Sequence, residues 1–534
     1  MSKKLSDLLN LEKAYDEVLY DERHGDDFIP DILNFLNSRK FRNQILQELK
    51  RKIDNEEVRT NYLVKMDIPK DSFFIRPGGR PCLEDWILYQ ALADYIGSKA
   101  DKKLAPNVYS CRFNPKTGQL FHWLDQWLKF DRAFWDAFEK GFNYVLKTDI
   151  TAYFANINIE RLRNSIIDVL DKSAESDQIV QLLFQSLLRP WADREENKGY
   201  GLPQGINASR VLANLLLLHV DASLSRKSRR LRYLRYSDDI RILARGEIDA
   251  KVALKTLIGE LRHIGLDLNE KKTQILKPPQ VEQLRDPRSQ DMNTIQTVLN
   301  SRNKDLINLA ALPLLHDVFE RSFDSSNVFG DRHLRFSINC FVRLKEIYKD
   351  GDKEIGAIGL RLTEKLKSMP GSANTFSRFF SVFPQDSFKK QLLKFLKSKE
   401  NIYEWQEMWI LDSLLRFQSF TQSELEVFGE IAFDKDRRAP TRSKAILLLG
   451  KFGNSHERYE LTRKFNEEMD YLVKRAIVVA TQELSIAERN DFYSTVKRTD
   501  PEQAALIDFV KPLRKSIYFD VYVPAPILPI EEPY

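Results

Sequence analysis

Cysteine is scarce. The 534 residues hold three, Cys82, Cys111 and Cys340, far apart in the chain. That argues against a disulfide framework and a cysteine-based zinc site, and suits a reducing compartment. Seven histidines are scattered without metal-ligand spacing. No apolar run approaches the ~18–20 residues of a membrane span. Met1-Ser-Lys-Lys leads into a polar stretch without the apolar core of a secretory signal. A cytoplasmic location and no membrane partner are the expectations. Charge of one sign is lacking too: 83 Lys and Arg stand against 77 Asp and Glu, a net +6. Such a balance permits nucleic-acid binding without demanding it. With 43% hydrophobic and 30% charged residues the chain reads as globular, and its length predicts two or three domains.

Residues 1–60 read as a charged helical extension, and 61–280 alternate strand and helix patterns. From 281 to 515 apolar residues recur at helical spacing, as in Trp405-Gln-Glu-Met-Trp409-Ile-Leu and Ser443-Lys-Ala-Ile-Leu-Leu-Leu-Gly. Successive short helices predict antiparallel pairs stacked as an array, although no strict repeat period is present. The tail, 516–534, carries four prolines and reads as extended.

The chemistry gathers in four segments. The first is Tyr144-Val-Leu-Lys-Thr-Asp149-Ile-Thr-Ala-Tyr153-Phe154, an apolar strand ending in an acid. The second is Gly201-Leu202-Pro203-Gln204-Gly205, with Asn207-Ala-Ser209 opening an apolar helix. The third is Leu231-Arg-Tyr-Leu-Arg-Tyr236-Ser237-Asp238-Asp239-Ile240, a strand, a tight turn holding two acids, and a second strand. The fourth is Gly265-Leu-Asp-Leu268-Asn269-Glu-Lys-Lys272-Thr273. Two carboxylates converging from two strands are what a two-metal nucleotidyl-transfer site needs. Metals ~3.5–4 Å apart repel, and bridging acids offset that repulsion. Asp149 and Asp238 would hold both ions, with Asp239 assisting; Mg²⁺ favours such hard oxygen ligands. Phe154 would lie under the sugar and leave no room for a 2′-hydroxyl. Gly205 would let backbone approach the nascent pair, since glycine lacks a Cβ. Lys272 would serve the pyrophosphate as a point charge or proton donor. Each segment alone has a plainer reading: a solvated turn, a loop, a core ring, a surface charge. Their conjunction, in order, favours the site.

The series resembles the palm of a reverse transcriptase, whose family carries Asp-x-x-x-x-(Phe/Tyr), Leu-Pro-Gln-Gly, (Tyr/Phe)-x-Asp-Asp and Leu-Asn-x-x-Lys-Thr motifs. The resemblance covers roughly residues 60–280. It implies an α+β right-hand polymerase, fingers and palm, followed here by an all-α HEAT-like helical-repeat domain. It implies RNA-directed DNA polymerase activity on dNTPs with single-stranded DNA as product. Asp149, Asp238, Asp239 and Lys272 would be catalytic. Asp149, the adjoining Ile150, Asp238 and Asp239 would be metal ligands for two Mg²⁺ ions, with Mn²⁺ as substitute. Arg76-Pro-Gly-Gly-Arg80 resembles the family's fingers, so Arg76 and Arg80 join Phe154, Gln204 and Gly205 as expected substrate contacts. Tyr109-Ser-Cys-Arg112 resembles a fingers segment of bacterial members. Arg210 stands where many members have proline, and no clear thumb follows Thr273.

A palm followed by a helical array resembles the bacterial abortive-infection and defence-associated (unknown-group) reverse transcriptases. Some of these synthesise DNA without a template, some prime from a protein hydroxyl, and several are homo-oligomers. Tyr518, Tyr522 and Tyr534 are the tail's candidate hydroxyls. A retron-like enzyme copying a non-coding RNA, an RNA-dependent RNA polymerase and an inactive palm scaffold are the alternatives; Phe154 argues against the second and the intact acids against the third. The basic run Arg226 to Arg235 gives Arg229, Arg230 and Arg232 as expected contacts to nucleic-acid phosphates. The aromatic stretch from Phe121 to Phe138 could stack bases, but its spacing of three and four favours core packing.

Overall fold

The computed structural model describes residues 4–24, 29–33, 35–61, 63–193, 199–226, 230–348 and 351–518. Two compact units share the chain: the first gathers residues 1–21, 43–64 and 79–286, the second 22–42, 65–78 and 287–534. Residues 1–60, expected to stand apart as an extension, are therefore divided between the two. A two-stranded ribbon, β1 (Val64–Pro69) and β2 (Ile75–Arg80), is divided in the same way.

In the first unit β3 (Tyr144–Asp149), β4 (Leu231–Tyr236), β5 (Asp239–Ala244) and β6 (Gln274–Leu276) form an antiparallel sheet in the order β4-β5-β3-β6. Among this unit's helices are α1 (Leu83–Ala100), α2 (Trp123–Glu139), α3 (Asn207–Leu216), α4 (Leu218–Ser225) and α5 (Glu247–His263). Strand alternation sorts side chains onto two faces. On one, Val145, Leu234, Leu243 and Leu276 meet Phe130 and Phe134 of α2 in a single core. Helix α5 also packs on the sheet, burying Ala250, Ala253, Leu257 and Leu261 at helical spacing. Helix α1 lies on α3, and the start of α3 is capped from afar, Asn207 N–H donating to Asp21 Oδ2 at 2.9 Å.

A buried polar network ties the β4–β5 turn to α3 and α4. Arg235, fully buried on β4, donates from Nε and Nη2 to the two oxygens of Asp221 on α4 at 2.7 and 2.6 Å. Its Nη1 donates to Asn214 Oδ1 on α3 at 2.8 Å and to the carbonyl of Ser237 at 3.0 Å. Ser237 N–H donates in turn to Ser110 Oγ at 2.8 Å, and Asn214 Nδ2 to the Ser110 carbonyl at 2.7 Å. Tyr233 hydroxyl completes the set on Asp221 at 2.7 Å. Arg235, Asp221, Asn214 and the Ser237 backbone thus satisfy one another, which is the condition for burying charge.

The second unit is helical apart from its share of the ribbon. Helices α6 (Gly330–Arg343), α7 (Ala373–Val382), α8 (Glu404–Leu414), α9 (Ala439–Phe452) and α10 (Tyr471–Ala480) pack each on the next, with other helices between them in sequence. Two of them are buried nearly all round, α8 from Trp405 to Leu414 and α9 from Pro440 to Gly450. One buried ion pair joins these two, Lys444 Nζ of α9 and Asp412 Oδ1 of α8 lying 2.7 Å apart. Residues from earlier in the chain join these helices. Ser372 Oγ donates to Asp71 Oδ2 at 3.0 Å, Tyr403 hydroxyl to the Phe73 carbonyl at 3.1 Å, and Arg475 lies 3.6 Å from Asp31. No described helix is long and apolar enough to cross a membrane.

Removing one partner of a buried ion pair leaves the other charge stranded, at a cost of about 3–5 kcal/mol. Asp221→Ala should therefore lower the urea midpoint of the first unit sharply, whereas the exposed-pair variant Asp249→Ala should move it little. Equal midpoints for Asp221→Ala and the unchanged chain would show that the network carries no stability.

Candidate active site

Strand β3 ends on Asp149 and β5 begins on Asp239, and the two are direct register partners. Tyr236 pairs with Asp239 on β4, so Ser237 and Asp238 form the two-residue turn of the hairpin. Ser237 adopts φ 56°, a left-handed value that a non-glycine residue holds only when its surroundings impose it; here Arg235 and Ser110 do so. The three carboxylates of the sequence reading are thus brought to one end of the sheet. Burial first, then the Asp149 carboxylate beside it, pushes the Asp238 carboxyl up to about 6. Burial also raises Asp239, opposed first by Arg241. Asp239 Oδ1 is buried without a hydrogen-bond partner, and Oδ2 lies 3.6 Å from Arg241 Nη2.

The fourth segment closes on the end of β3. Asn269 N–H donates to the Asp149 carbonyl at 2.8 Å, Thr151 N–H donates to the Asp267 carbonyl at 2.9 Å, and Ile150 bridges Leu268. Asn269 caps the short turn Glu270–Lys272, and Thr273 Oγ1 donates to its carbonyl at 2.8 Å while lying 2.6 Å from Thr148 Oγ1. That turn delivers Lys272 Nζ to Asp149 Oδ2 at 2.5 Å. Lys272 is therefore placed on an acid of the site. The Ile150 side chain is a buried hydrocarbon with no donor atom, so only its backbone carbonyl could serve a metal.

The second segment meets the first through backbone. Gly201 N–H donates to the Ile157 carbonyl at 2.9 Å and Leu202 N–H to the Phe154 carbonyl at 3.0 Å. Gly205 has φ 111°, open to glycine and strained for other residues. Gln204 offers its carbonyl to Gly79 N–H at 3.4 Å, and a Cβ on Gly79 would stand 3.4 Å from Pro203 Cα. Phe154, half-buried, lies 5.5 Å from the ring of Tyr153, whose hydroxyl donates to the Ala213 carbonyl at 2.5 Å.

The arginines divide differently from their expected roles. Arg80, next to Gly79, is buried, and Arg76 falls in the second unit. Of the basic run, Arg230 is exposed, 4.0 Å from Asp249. Arg232 stacks 4.1 Å from the centre of the Phe142 ring, Arg229 lies outside the described residues, and Arg235 turns wholly inward. The run is therefore not one basic surface, because alternate strand positions face opposite ways. Arg112 clamps Asp101 at 2.8 Å and the carbonyls of Ala105 and Val108, so it shapes its own loop. Arg241 was not foreseen. It lies 4.5 Å from the Phe130 ring centre and 4.9 Å from that of Phe134, and reaches both Asp239 and Asp131. Its position two residues after Asp239 puts it on the same strand face, a signal present in the sequence.

Among the described residues no three His, Cys, Asp or Glu side chains form a ready-made metal cage. The donors nonetheless suit a divalent cation. They are hard oxygens, two of them crowd one another, and one is buried without a partner.

Residues 88–287 match the reverse transcriptase (RNA-dependent DNA polymerase) family, a span that leaves Arg76 and Arg80 upstream. No curated protein matches the chain. Among solved structures it is similar to a partial Cas6-RT-Cas1–Cas2 complex at 21% identity and TM-score 0.27, covering 49% of this chain and 42% of that one. It is also similar to apo telomerase from Candida tropicalis at 12% identity and TM-score 0.34, covering 69% and 74%. Telomerase from Candida albicans with a telomeric RNA fragment gives 10% identity and TM-score 0.31, covering 74% and 70%. The chain thus spans less than half of the first of these structures, and it carries, over residues 88–287, a reverse transcriptase domain.

Proposed function

We propose that the chain synthesises DNA from dNTPs at Asp149, Asp238 and Asp239. One observation carries the reading: Asp149 and Asp239 face each other in the β3–β5 register, with Asp238 in the adjoining turn, inside the matched stretch. The reaction joins a primer hydroxyl oxygen to the α-phosphorus of a dNTP and breaks the bond to pyrophosphate. Mg²⁺, held by the three acids and the Ile150 carbonyl, would lower the hydroxyl's pKa and neutralise the leaving charge, and Mn²⁺ could replace it. Phe154 would exclude a 2′-hydroxyl. Gln204 and Gly205 would border the base pair, and Lys272 would pass from Asp149 to the phosphates. Arg76 and Arg80 remain proposed triphosphate contacts, and Arg230 and Arg232 proposed contacts to backbone phosphate.

The wider role we propose is bacterial antiphage defence by abortive infection, in the cytoplasm and as a homo-oligomer. It is supported by the order of a reverse transcriptase domain and then a helical array. The succession of inner helices α6 to α10 supports reading that array as HEAT-like repeats. Untemplated synthesis from a protein hydroxyl fits the same group. Tyr518 is a poor primer as placed: its hydroxyl is buried and burial raises its pKa. Tyr522 and Tyr534 lie outside the described residues.

Asp238→Asn with Asp239→Asn should cut dNTP incorporation on the order of 10³-fold or more, since the metals supply several kcal/mol of transition-state stabilisation. The same pair should abolish the rise in melting temperature that Mg²⁺ gives the unchanged chain. Incorporation equal to the unchanged chain's would sink the assignment. Phe154→Ala should lower the preference for dNTPs over NTPs by roughly 10- to 100-fold, read from competition assays. An unaltered ratio would remove Phe154 as the sugar gate. If a protein hydroxyl primes, labelled product stays with the chain through denaturation and protease frees it; free DNA without protease rules protein priming out.

A further inference from the structure

The aromatic stretch before β3 does two different things. Phe130 and Phe134 are fully buried in the core under the sheet. Trp123, at the first position of α2, is 61% exposed, more than any other described Phe, Trp or Tyr of its unit. Leaving an indole in water forgoes about 2–3 kcal/mol of burial, and an exposed ring offers a face on which a base can stack.

Its position relates it to the acids. Tyr236, the register partner of Asp239, donates its hydroxyl to the Trp123 carbonyl at 3.1 Å. The Tyr236 ring stands edge-on to Trp127 at 5.1 Å and lies 5.9 Å from Phe130. Arg241, which reaches Asp239, lies 5.6 Å from the Trp127 ring centre. Trp123 is thus joined to the Asp238–Asp239 hairpin by a single tyrosine side chain, and its backbone is fixed by that tyrosine and by the first turn of α2. His122 lies beside it, ring centres 5.8 Å apart and planes inclined by 35°, a tilted contact that braces the indole. Lys129 lies six residues along the helix, its ammonium 5.0 Å from the Phe121 ring centre, and supplies positive charge suited to a phosphate backbone.

We infer that Trp123, supported by His122, is a stacking platform for a base of the nucleic-acid strand that lies at the acidic site. The inference rests on the polymerase reading for its ligand. A π-face accepts any base, so the platform would add affinity without sequence preference. It would also hold the strand in register with the acids, through Tyr236.

The test titrates the full-length chain into a fluorescein-labelled single-stranded DNA of about 12 nucleotides, and measures dNTP incorporation alongside. Trp123→Ala should weaken binding about 5- to 140-fold. Trp123→Phe, which keeps a ring, should lose markedly less. Absence of binding by the unchanged chain, or equal binding by Trp123→Ala, overturns the platform. Unchanged oligonucleotide affinity with an altered oligomeric mass for Trp123→Ala would assign the surface to self-association and also overturn it. The two readings fail separately. Trp123-dependent binding without incorporation by the unchanged chain removes the polymerase, and incorporation with Trp123-independent binding removes the platform.

Discussion

The site hangs on one buried ion pair. Arg235 and Asp221 have almost no exposed surface, and in isolation each would cost far too much to bury. Together with Asn214, Ser110 and Tyr233 they satisfy one another, and the arginine has a donor left for the Ser237 carbonyl. A pair of this kind contributes little net stability compared with apolar side chains of the same volume. What it supplies is position. The turn carrying Asp238 must adopt a left-handed residue at Ser237, and a charged fork held from two helices makes that conformation the one the backbone can satisfy. The acids are placed by a structure that lies behind them.

The opposite electrostatic problem faces forward. Asp149, Asp238 and Asp239 crowd one another, and the structure meets this with nearby cations, among them Lys147 and two of contrasting character, Arg241 and Lys272. Arg241 is nearly buried against phenylalanine rings and cannot leave. Lys272 is a half-exposed ammonium on a flexible stem, arriving from a turn that is itself hydrogen-bonded to Asp149's backbone. One charge is fixed, and the other can move to a substrate without unfolding anything.

Much of this was readable from local pattern. The strand–turn–strand around Asp238, the strand ending in Asp149 and the helical spacing beyond residue 281 all follow from alternation or from a 3.6-residue period. The core role of Phe130 and Phe134 followed from their spacing. The direction of Arg235 was available too, since Leu231, Tyr233 and Arg235 share one face of β4, but a run of five arginines and a lysine reads first as surface. Its partner Asp221 could not be found, because nothing local links a helix residue to a strand arginine 14 positions on. The split of the N-terminal residues was illegible for the same reason. Which helices residues 22–42 and 65–78 pack against is decided by contacts hundreds of positions away, as between Asp71 and Ser372.

That split bears on how the helical unit is to be regarded. It resembles an appendage in a linear reading, something added after a finished catalytic domain. Yet two stretches from within the first 78 residues belong to it, and the chain passes between the units five times before residue 287 is left behind. Ending the polypeptide at residue 286 would strip Asp31, Asp71 and Phe73 of Arg475, Ser372 and Tyr403. Neither half can be cut out as one continuous piece. The two were woven from one thread, so insertion or loss of the C-terminal helices cannot occur as a simple exchange of modules.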